Sequence, residues 1–188
     1  MGKTDVRKRI LAGRDALSLS ERQAKSAAIW VRLKALPEYA GASTVLFYVD
    51  FRSEVMTLRM IDEALKEGKR VIVPKVDRAA HRLVLFEIKD PADLVSGYMG
   101  IPEPSEGTAV KVGPAEIDLV VMPGVGFDTQ GKRLGYGGGY YDRLIETLRP
   151  NAGLVALAFE VQVEDEIPSE PHDKRVSKVI TETREIEA

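Results

Sequence analysis

The sequence contains no cysteine, and its 188 residues include only two histidines. Without cysteine there is no disulfide framework, no thiolate metal site and no cysteine nucleophile, and such a composition suits the reducing cytoplasm, where we expect the protein to act. No apolar run approaches the roughly 20 residues that a membrane-spanning helix needs. The 27 basic and 29 acidic residues leave a net charge of −2, which offers no bulk attraction to nucleic acid or to an anionic membrane. We therefore expect a protein that binds neither nucleic acid nor membrane.

The length predicts a single domain over residues 1–188, because one hydrophobic core commonly serves a chain of this size. Hydrophobic residues make up 44% of the chain and charged residues 30%, so the chain can form a sizeable core and stay soluble. We found no internal repeat and no low-complexity segment. We expect the protein to be a monomer.

Helix signals and strand signals alternate along the chain. The first helix is predicted over about residues 4–16 with Thr4 as its N-cap, and Ser18 and Glu21 form a capping-box pattern at the start of the second. Further helices are predicted at residues 57–66 and 140–148. Strands are predicted at residues 45–49, 70–74, 83–88, 119–122, 154–159 and 176–180.

This alternation predicts an α/β fold with three layers, αβα, around a mostly parallel central sheet of the open, Rossmann-like kind. The run from Leu119 to Met122 is continuously apolar, as buried parallel strands tend to be. In such sheets, ligands bind beyond the carboxyl ends of the strands. The segment that follows Met122 is therefore the candidate site.

That segment is unusually rich in glycine, since residues 120–143 hold seven of the sixteen glycines in the chain. Glycine is favoured where the backbone bends sharply or approaches a ligand closely. Gly126 to Lys132 fits most of the phosphate-loop pattern G-x-x-x-x-G-K, but Arg133 stands where that pattern needs Ser or Thr to hold magnesium. The glycines at 135–139 would also break the helix that should begin there. An ordinary phosphate loop is therefore disfavoured. The sequence also lacks a G-x-G-x-x-G pattern at the start of a helix, which would mark a dinucleotide-binding site.

Residues 133–142 combine a cation, free backbone N–H groups and a helix N-terminus, which together make an anion site. Asp142 lies in the first helical turn, where it either complements the helix dipole or binds magnesium beside phosphates. Tyr140 and Tyr141 are either core residues or flat faces for a heteroaromatic ligand.

Other charged residues have ordinary interpretations on composition alone. Lys3, Arg7 and Arg14 are spaced to share a helical face, and such cations usually form a solvated surface. Glu54 is interpreted as an acid at a helix start. His81 is predicted to be a surface residue, and the pair at 172–173 is predicted to lie in a polar turn.

The segment from Pro123 to Arg143 resembles the signature of the 5-formyltetrahydrofolate cyclo-ligase family, also called 5,10-methenyltetrahydrofolate synthetases. The long spacing of Pro-Gly, Phe-Asp, Arg-Leu-Gly and Gly-Tyr-Tyr-Asp makes the match specific. The resemblance covers nearly the whole chain, and it includes Lys3-x-x-x-Arg7 and segments 53–57, 68–69, 100–104 and 171–173.

The resemblance implies an enzyme, a ligase that uses ATP as cosubstrate and Mg²⁺ as cofactor. It implies cyclisation of 5-formyltetrahydrofolate to 5,10-methenyltetrahydrofolate through phosphorylation of the formyl oxygen, with release of ADP and phosphate. Arg133 would be the catalytic residue, and Asp142 and Asp173 would serve magnesium. The ATP site would comprise Lys3, Arg7, Arg133, Leu134, Gly135, Tyr136, Gly137, Gly138, Gly139, Tyr140 and Tyr141. The folate site would comprise Val49, Glu54, Tyr136, Gly137, Gly138, Gly139 and Tyr140.

The chain departs from the family pattern at two positions of the loop, where Tyr136 and Gly138 stand in place of common cations. The sequence therefore leaves two alternatives to the ligase, a phosphotransferase and a non-catalytic folate- or nucleotide-binding module. A phosphotransferase of the phosphate-loop kind is disfavoured by Arg133 after Lys132. A binding module that has lost turnover would be expected to lack Arg133 or Asp142, and both are present.

Overall fold

The computed structural model describes residues 2–105, 107 and 109–188. In the described part, the α-helices are α1 Lys3–Asp15, α2 Leu19–Ala35, α3 Pro37–Gly41, α4 Leu58–Lys66 and α5 Tyr140–Ile145. Single 3₁₀ turns occur at Pro91–Asp93, Tyr98–Gly100, Pro114–Glu116 and Glu160–Gln162. Among these described helices, none has the length and apolar character needed to cross a membrane.

The strands are short, apart from one long hairpin. They are β1 Thr44–Phe47, β2 Arg70–Asp77, β3 Arg82–Ile88, β4 Leu94–Ser96, β5 Pro102–Pro104, β6 Val110–Val112, β7 Leu119–Met122, β8 Gly126–Asp128, β9 Arg133–Leu134, β10 Gly153–Leu157, β11 Val163–Glu164, β12 Lys178–Ile180 and β13 Glu185–Glu187. The pair β2–β3 forms the long hairpin.

An eight-stranded sheet runs in the order β13-β12-β10-β7-β1-β2-β3-β6. Its middle strands, from β12 to β2, pair in parallel, with Val45 of β1 beside Val71 of β2 and Leu119 of β7. The outer pairs β12–β13, β2–β3 and β3–β6 are antiparallel. The predicted open α/β fold with a mostly parallel central sheet is confirmed, and antiparallel strands finish both of its edges.

The two faces of the sheet are covered by different layers. Phe47 of β1 packs in one core with Trp30 of α2 and Ile61 of α4. Its neighbour Leu46 points to the opposite face and packs in a second core with Leu144 of α5. Alternate side chains of a strand lie on opposite faces, so a strand buried on both sides is apolar throughout. This gives the predicted helix–sheet–helix order, although α5 is short.

The glycine-rich segment contains two strands that were not predicted from the sequence. Strands β8 and β9 pair antiparallel, with Gly126 opposite Leu134, and β8 also pairs with β11. The Gly126–Lys132 pattern therefore forms a hairpin rather than the strand–loop–helix of a phosphate loop, in agreement with the sequence argument against one.

The first helix begins one residue before the predicted start, so the prediction of Thr4 as its N-cap is wrong. Gly2 is the N-cap, and its carbonyl oxygen accepts the amide hydrogens of Asp5 at 3.0 Å and Val6 at 3.2 Å. Only backbone hydrogen bonds cap the start of this helix, since no side chain does so. In α2, by contrast, the predicted capping box of Ser18 and Glu21 is confirmed.

Other predicted boundaries differ by a few residues at the ends of elements. The predicted helix over 140–148 ends at Ile145, and the strand predicted to reach residue 49 ends at Phe47. The strand predicted at 119–122 is confirmed at both ends. The ends of helices and strands depend on local hydrogen bonds, which a pattern of apolar residues does not specify.

Gly131 in the β8–β9 turn should be the least replaceable glycine of this hairpin. Its φ is +73°, and an added Cβ would collide with the carbonyl oxygen of Val176. We expect Gly131→Ala to lower the free energy of unfolding by about 2 kcal/mol or more, measured by urea titration.

Gly13→Ala is the matched control, because Gly13 lies inside α1 with no atom within 4 Å of an added Cβ. This change should raise the free energy of unfolding by about 0.5–1 kcal/mol. Equal effects of the two substitutions would contradict the strain assigned to Gly131.

Candidate functional site

A cavity of about 950 Å³ lies beyond the carboxyl ends of the parallel strands. Its wall includes Val49 after β1, Val76 in β2 and Pro123 after β7. This is the edge of the sheet at which the sequence predicted a site. Every site residue named from the sequence lines it: Lys3, Arg7, Val49, Glu54, Arg133, Leu134, Gly135, Tyr136, Gly137, Gly138, Gly139, Tyr140, Tyr141, Asp142 and Asp173.

Arg133 and Asp142 form an ion pair across the two ends of the glycine loop, which we define as residues 135–139. The Arg133 Nη2 atom donates to Asp142 Oδ1 at 2.9 Å, and the same oxygen accepts the amide hydrogen of Lys174 at 3.1 Å. Arg133 is only 8% exposed, and its guanidinium carbon lies 5.9 Å from the ring centroid of Tyr141. In the described structure its Nε atom has no hydrogen-bond partner. A buried cation with an unused donor is suited to an anionic ligand.

The glycine loop is held by two arginines through its backbone carbonyls. Arg7 Nε donates to the carbonyl oxygen of Gly135 at 2.9 Å, and Arg143 Nη1 donates to that of Gly138 at 3.0 Å. Gly139 has a φ of +64° and is the N-cap of α5. That left-handed conformation turns the chain directly from the loop into the helix, and it favours glycine.

Lys3 and Asp173 form a second ion pair that lines the cavity. Lys3 Nζ donates to Asp173 Oδ2 at 2.7 Å and lies 3.4 Å from Glu170 Oε1. Burial lowers the pKa of Lys3, but its hydrogen bond and charge interaction with Asp173 outweigh that effect, so the pKa is raised. Burial also opposes ionisation of Asp173, yet the hydrogen bond from Lys3 leaves its pKa lowered. Both groups therefore stay charged near neutral pH.

Glu54 lines the same cavity and is only 6% exposed. Its Oε1 atom accepts a hydrogen bond from the Tyr136 hydroxyl at 2.7 Å, and its Oε2 atom accepts one from the amide of Phe51 at 2.9 Å. Burial raises the pKa of Glu54, and the hydrogen bonds from Tyr136 and Phe51 reduce that rise. The interpretation as a helix-start acid is not supported, because α4 begins only at Leu58.

Arg14 is the residue that sequence reasoning missed. It was predicted to lie on a solvated face, yet it is 1% exposed and lines the cavity. Its Nε atom donates to Ser53 Oγ at 2.9 Å and its Nη1 atom to the Tyr136 hydroxyl at 2.9 Å. The spacing groups Arg14 with Arg7, which lies two helical turns earlier on the same face of α1, but it does not show that this face lines a cavity.

The two histidines lie where the sequence predicted them. His81 is exposed in the turn between β2 and β3, where its ring stacks on Tyr140 with centroids 5.4 Å apart. His172 lies in the polar turn before Asp173, whose amide donates to the carbonyl oxygen of Glu170 at 3.0 Å. The stack places an imidazole over one of the two tyrosines that follow the glycine loop.

The acidic side chains do not form a ready-made metal cage. Among the residues described, no group of three or more His, Cys, Asp or Glu side chains could hold a metal ion. Asp142 and Asp173 nevertheless line the same cavity, and carboxylate oxygens are the ligands that magnesium prefers. Magnesium is commonly held by one or two carboxylates together with water and substrate phosphates. The residues present fit a metal ion of that kind.

Comparison with known proteins places the chain among folate enzymes. The model of the 5-formyltetrahydrofolate cyclo-ligase family matches residues 1–182. The 5-formyltetrahydrofolate cyclo-ligase of Mycolicibacterium smegmatis is 31% identical, with 99% of this chain and 96% of that protein covered. The cyclo-ligase of Escherichia coli K12 is 28% identical, with 91% and 95% covered.

Solved structures agree with the relatives found by sequence. The structure of Aquifex aeolicus 5,10-methenyltetrahydrofolate synthetase superposes with a TM-score of 0.87 at 36% identity, covering 100% of this chain and 93% of that one. A 5,10-methenyltetrahydrofolate synthetase from Mycoplasma pneumoniae gives a TM-score of 0.79 at 26% identity, covering 97% and 99%. The match to the family model over nearly the whole sequence, together with these relatives, shows that the chain belongs to the 5-formyltetrahydrofolate cyclo-ligase family.

Proposed function

We propose that this chain catalyses the ATP-dependent cyclisation of 5-formyltetrahydrofolate to 5,10-methenyltetrahydrofolate, with release of ADP and phosphate. The observation that best supports this function is one cavity that combines the glycine loop and the neighbouring cations Lys3, Arg7 and Arg133 with a buried carboxylate at Glu54. These features suit a triphosphate and the hydrogen-bond donors of a pterin, respectively. The proposal agrees with the membership of the family.

The reaction needs ATP because a formamide carbon is a poor electrophile, since its nitrogen donates electrons into it. The formyl oxygen attacks the γ-phosphorus and ADP leaves. N10 of the folate then attacks the activated carbon, the C–O bond breaks, and phosphate departs with the former formyl oxygen. N10 loses its proton, which leaves the methenyl bridge. Transfer of this kind depends mainly on positioning and charge neutralisation, so no protein nucleophile is required.

The phosphate end of ATP is assigned to the side of the cavity formed by α1 and the glycine loop. Lys3 and Arg7 enter it from the first two turns of α1, and Arg133 enters it from β9. The amides of residues 134–141 would supply further donors. Arg133 is assigned the catalytic role, because its buried, singly paired guanidinium can stabilise charge on the transferred phosphoryl group.

Asp142 and Asp173 are assigned to magnesium. When bound, this ion would neutralise charge on the phosphate oxygens. Each carboxylate is now paired with a cation, Asp142 with Arg133 and Asp173 with Lys3. These pairs fix both carboxylates in the wall of the cavity in the same region as the proposed phosphate contacts.

The folate is assigned to Glu54, Val49 and the loop residues from Tyr136 to Tyr140. Glu54 can accept hydrogen bonds from the N–H edge of a pterin, because a carboxylate has about four lone-pair sites and two are used here. Tyr140 offers a ring face to the planar part of the substrate. The monomeric state, the single domain and the cytoplasmic location stay predictions.

The reaction itself gives the first test. Purified protein with Mg-ATP and 5-formyltetrahydrofolate should produce the near-ultraviolet absorbance of the methenyl product, and omission of ATP or removal of magnesium with a chelator should abolish it. The absence of product with both substrates present at saturating concentration would contradict the proposed function. Product without ATP would contradict the phosphorylation route.

Arg133→Ala should lower kcat about 100-fold or more, because the contact strengthens as charge develops on the transferred phosphoryl group. Arg133→Lys should recover only part of the rate, since a lysine lacks the planar fork of guanidinium donors. Arg59→Ala is the matched control, because Arg59 is an exposed arginine paired with Glu63 on α4. A folded Arg133→Ala enzyme with the kcat of the control would refute the catalytic role.

Glu54→Gln should mainly raise the KM for folate, because the amide keeps the shape of the side chain but loses its charge. The raised pKa of Glu54 also gives the wild-type enzyme a pH dependence. As the pH falls through that pKa, the carboxylate becomes protonated and the KM for folate should rise. Steady-state assays across pH would show this rise for the wild type and not for Glu54→Gln. Identical profiles would count against the assignment.

A further inference from the structure

Arg14 is a buried cation with no carboxylate paired directly to it among the described residues. It lies in the last turn of α1 and is 1% exposed. Its hydrogen bonds go to two hydroxyl groups, Ser53 Oγ and Tyr136 Oη, each at 2.9 Å. Ser53 in turn donates to the carboxylate of Asp15. A buried charge is costly without strong compensation, so a purely structural side chain at this position would be expected to be apolar.

The chemistry of the donors fixes the direction of this hydrogen-bond chain. A guanidinium can only donate, so the Tyr136 oxygen is the acceptor from Arg14. The phenolic hydrogen of Tyr136 is then free to point at Glu54 Oε1, which is 2.7 Å away. Glu54 must therefore act as the acceptor at the end of the chain. The amide of Phe51 fixes the second oxygen of Glu54 in the same way.

Tyr136 is well placed to transmit an effect of Arg14 to the substrate site. The residue is 47% exposed, yet its hydroxyl lies between Arg14 and Glu54. The Arg14 guanidinium carbon also lies 5.8 Å from the centroid of the Tyr136 ring. Burial and the charge of Glu54 raise the pKa of Tyr136, so its hydroxyl keeps its hydrogen. Through Arg14, helix α1 thereby holds Tyr136 of the glycine loop in position.

We propose that Arg14 is a positioning residue for the folate site, because it acts through Tyr136 to hold Glu54 as an oriented hydrogen-bond acceptor for the N–H edge of the pterin. This inference rests on the proposed function. Arg14 itself does not contact the pterin in this arrangement. Its effect is on substrate affinity, and the phosphate chemistry at Arg133 is separate.

The charged and hydrogen-bonding groups around Glu54 set its pKa, and a change in that pKa is how the loss of Arg14 would be observed. Burial raises the pKa of Glu54, and the negative charge of Asp50 adds to that rise. The hydrogen bonds from Tyr136 and Phe51 and the positive charge of Arg14 oppose it. The charge of this carboxylate also raises the pKa of the buried Tyr48 and Tyr141 phenols, although burial is the larger cause of both shifts. Removal of the Arg14 charge should therefore raise the pKa of Glu54 further, so that the acceptor is lost at a higher pH.

Arg14→Met and Tyr136→Phe test the relay in the full-length enzyme. The first removes the charge and keeps an unbranched side chain, and the second removes only the hydroxyl. Both should raise the KM for 5-formyltetrahydrofolate about tenfold, in line with the loss of a hydrogen bond to a charged group. Arg14→Met should leave kcat and the KM for ATP near wild type. In Arg14→Met, the rise in folate KM at low pH should begin at a higher pH than in the wild type.

Coupling between the two positions separates a relay from two independent effects. If Arg14 acts through Tyr136, the double variant should have the folate KM of the more affected single variant, not the product of both changes. Arg14→Lys should restore part of the affinity, because it returns the charge without the fork. Arg9→Met is the matched control, since Arg9 is an exposed arginine of the same helix that pairs with Glu164 outside the cavity.

The outcomes distinguish this inference from the proposed function. If Glu54→Gln raises the folate KM while Tyr136→Phe and a folded Arg14→Met leave it unchanged, the relay is wrong and the folate assignment stands. If Glu54→Gln also leaves it unchanged, the folate assignment fails too. Circular dichroism reports folding. If Arg14→Met does not fold, Arg14→Lys decides instead: a folate KM above that of the wild type with kcat and the KM for ATP unchanged supports the relay, and a wild-type folate KM overturns it.

Discussion

The ion pair between Arg133 and Asp142 is the interaction on which the site depends. It joins the end of the β8–β9 hairpin to the first turn of α5, and the glycine loop spans the gap between them. A loop with this much glycine has a large conformational entropy when its ends are not held in place. Fixing both of its ends leaves the loop few arrangements, so its amides can point into the cavity before a ligand arrives. Pre-organisation of this kind is what phosphoryl transfer requires of a protein.

Helix α1 also holds the residues of the cavity wall in position. Three of its cations bind three different parts of the cavity wall: Lys3 pairs with Asp173, Arg7 with the Gly135 carbonyl, and Arg14 with the Tyr136 hydroxyl. The apolar face of the same helix, through Val6 and Ile10, packs on Leu134 of β9. One helix therefore contributes both to the core and to the electrostatics of the site. Its cations stay in the cavity because its apolar side chains anchor it.

The sequence predicted the parts of the fold that burial determines. Residues 119–122 are apolar without interruption, and they form the central strand with the predicted ends. The capping box of α2 was also correct, because it is a local reciprocal hydrogen bond. The short strands β8 and β9 were missed, since the glycines in and around them suggested a loop and their pairing depends on contacts with other parts of the chain. Local signals could not show that tertiary pairing.

The sequence predicted which residues belong to the candidate site, but not the hydrogen bonds that connect them. All of the residues named from the sequence line one cavity, because the carboxyl ends of parallel strands meet at one edge of the sheet. Arg14 was missed because helical spacing alone does not say which face of α1 is buried. The bonds from Arg14 to Tyr136 and onward to Glu54 join segments more than 80 residues apart. Such long-range contacts follow only from the assembled fold.

The glycine loop, held in place before ATP arrives, is proposed to bind the triphosphate. The most direct measurement is a crystal structure of the protein with magnesium and a non-hydrolysable ATP analogue. We predict that the triphosphate lies in the cavity, with its terminal phosphate within hydrogen-bond distance of the Arg133 guanidinium and of amides in the glycine loop. A nucleotide bound with its phosphates away from this loop, or an empty loop at saturating nucleotide, would contradict the account.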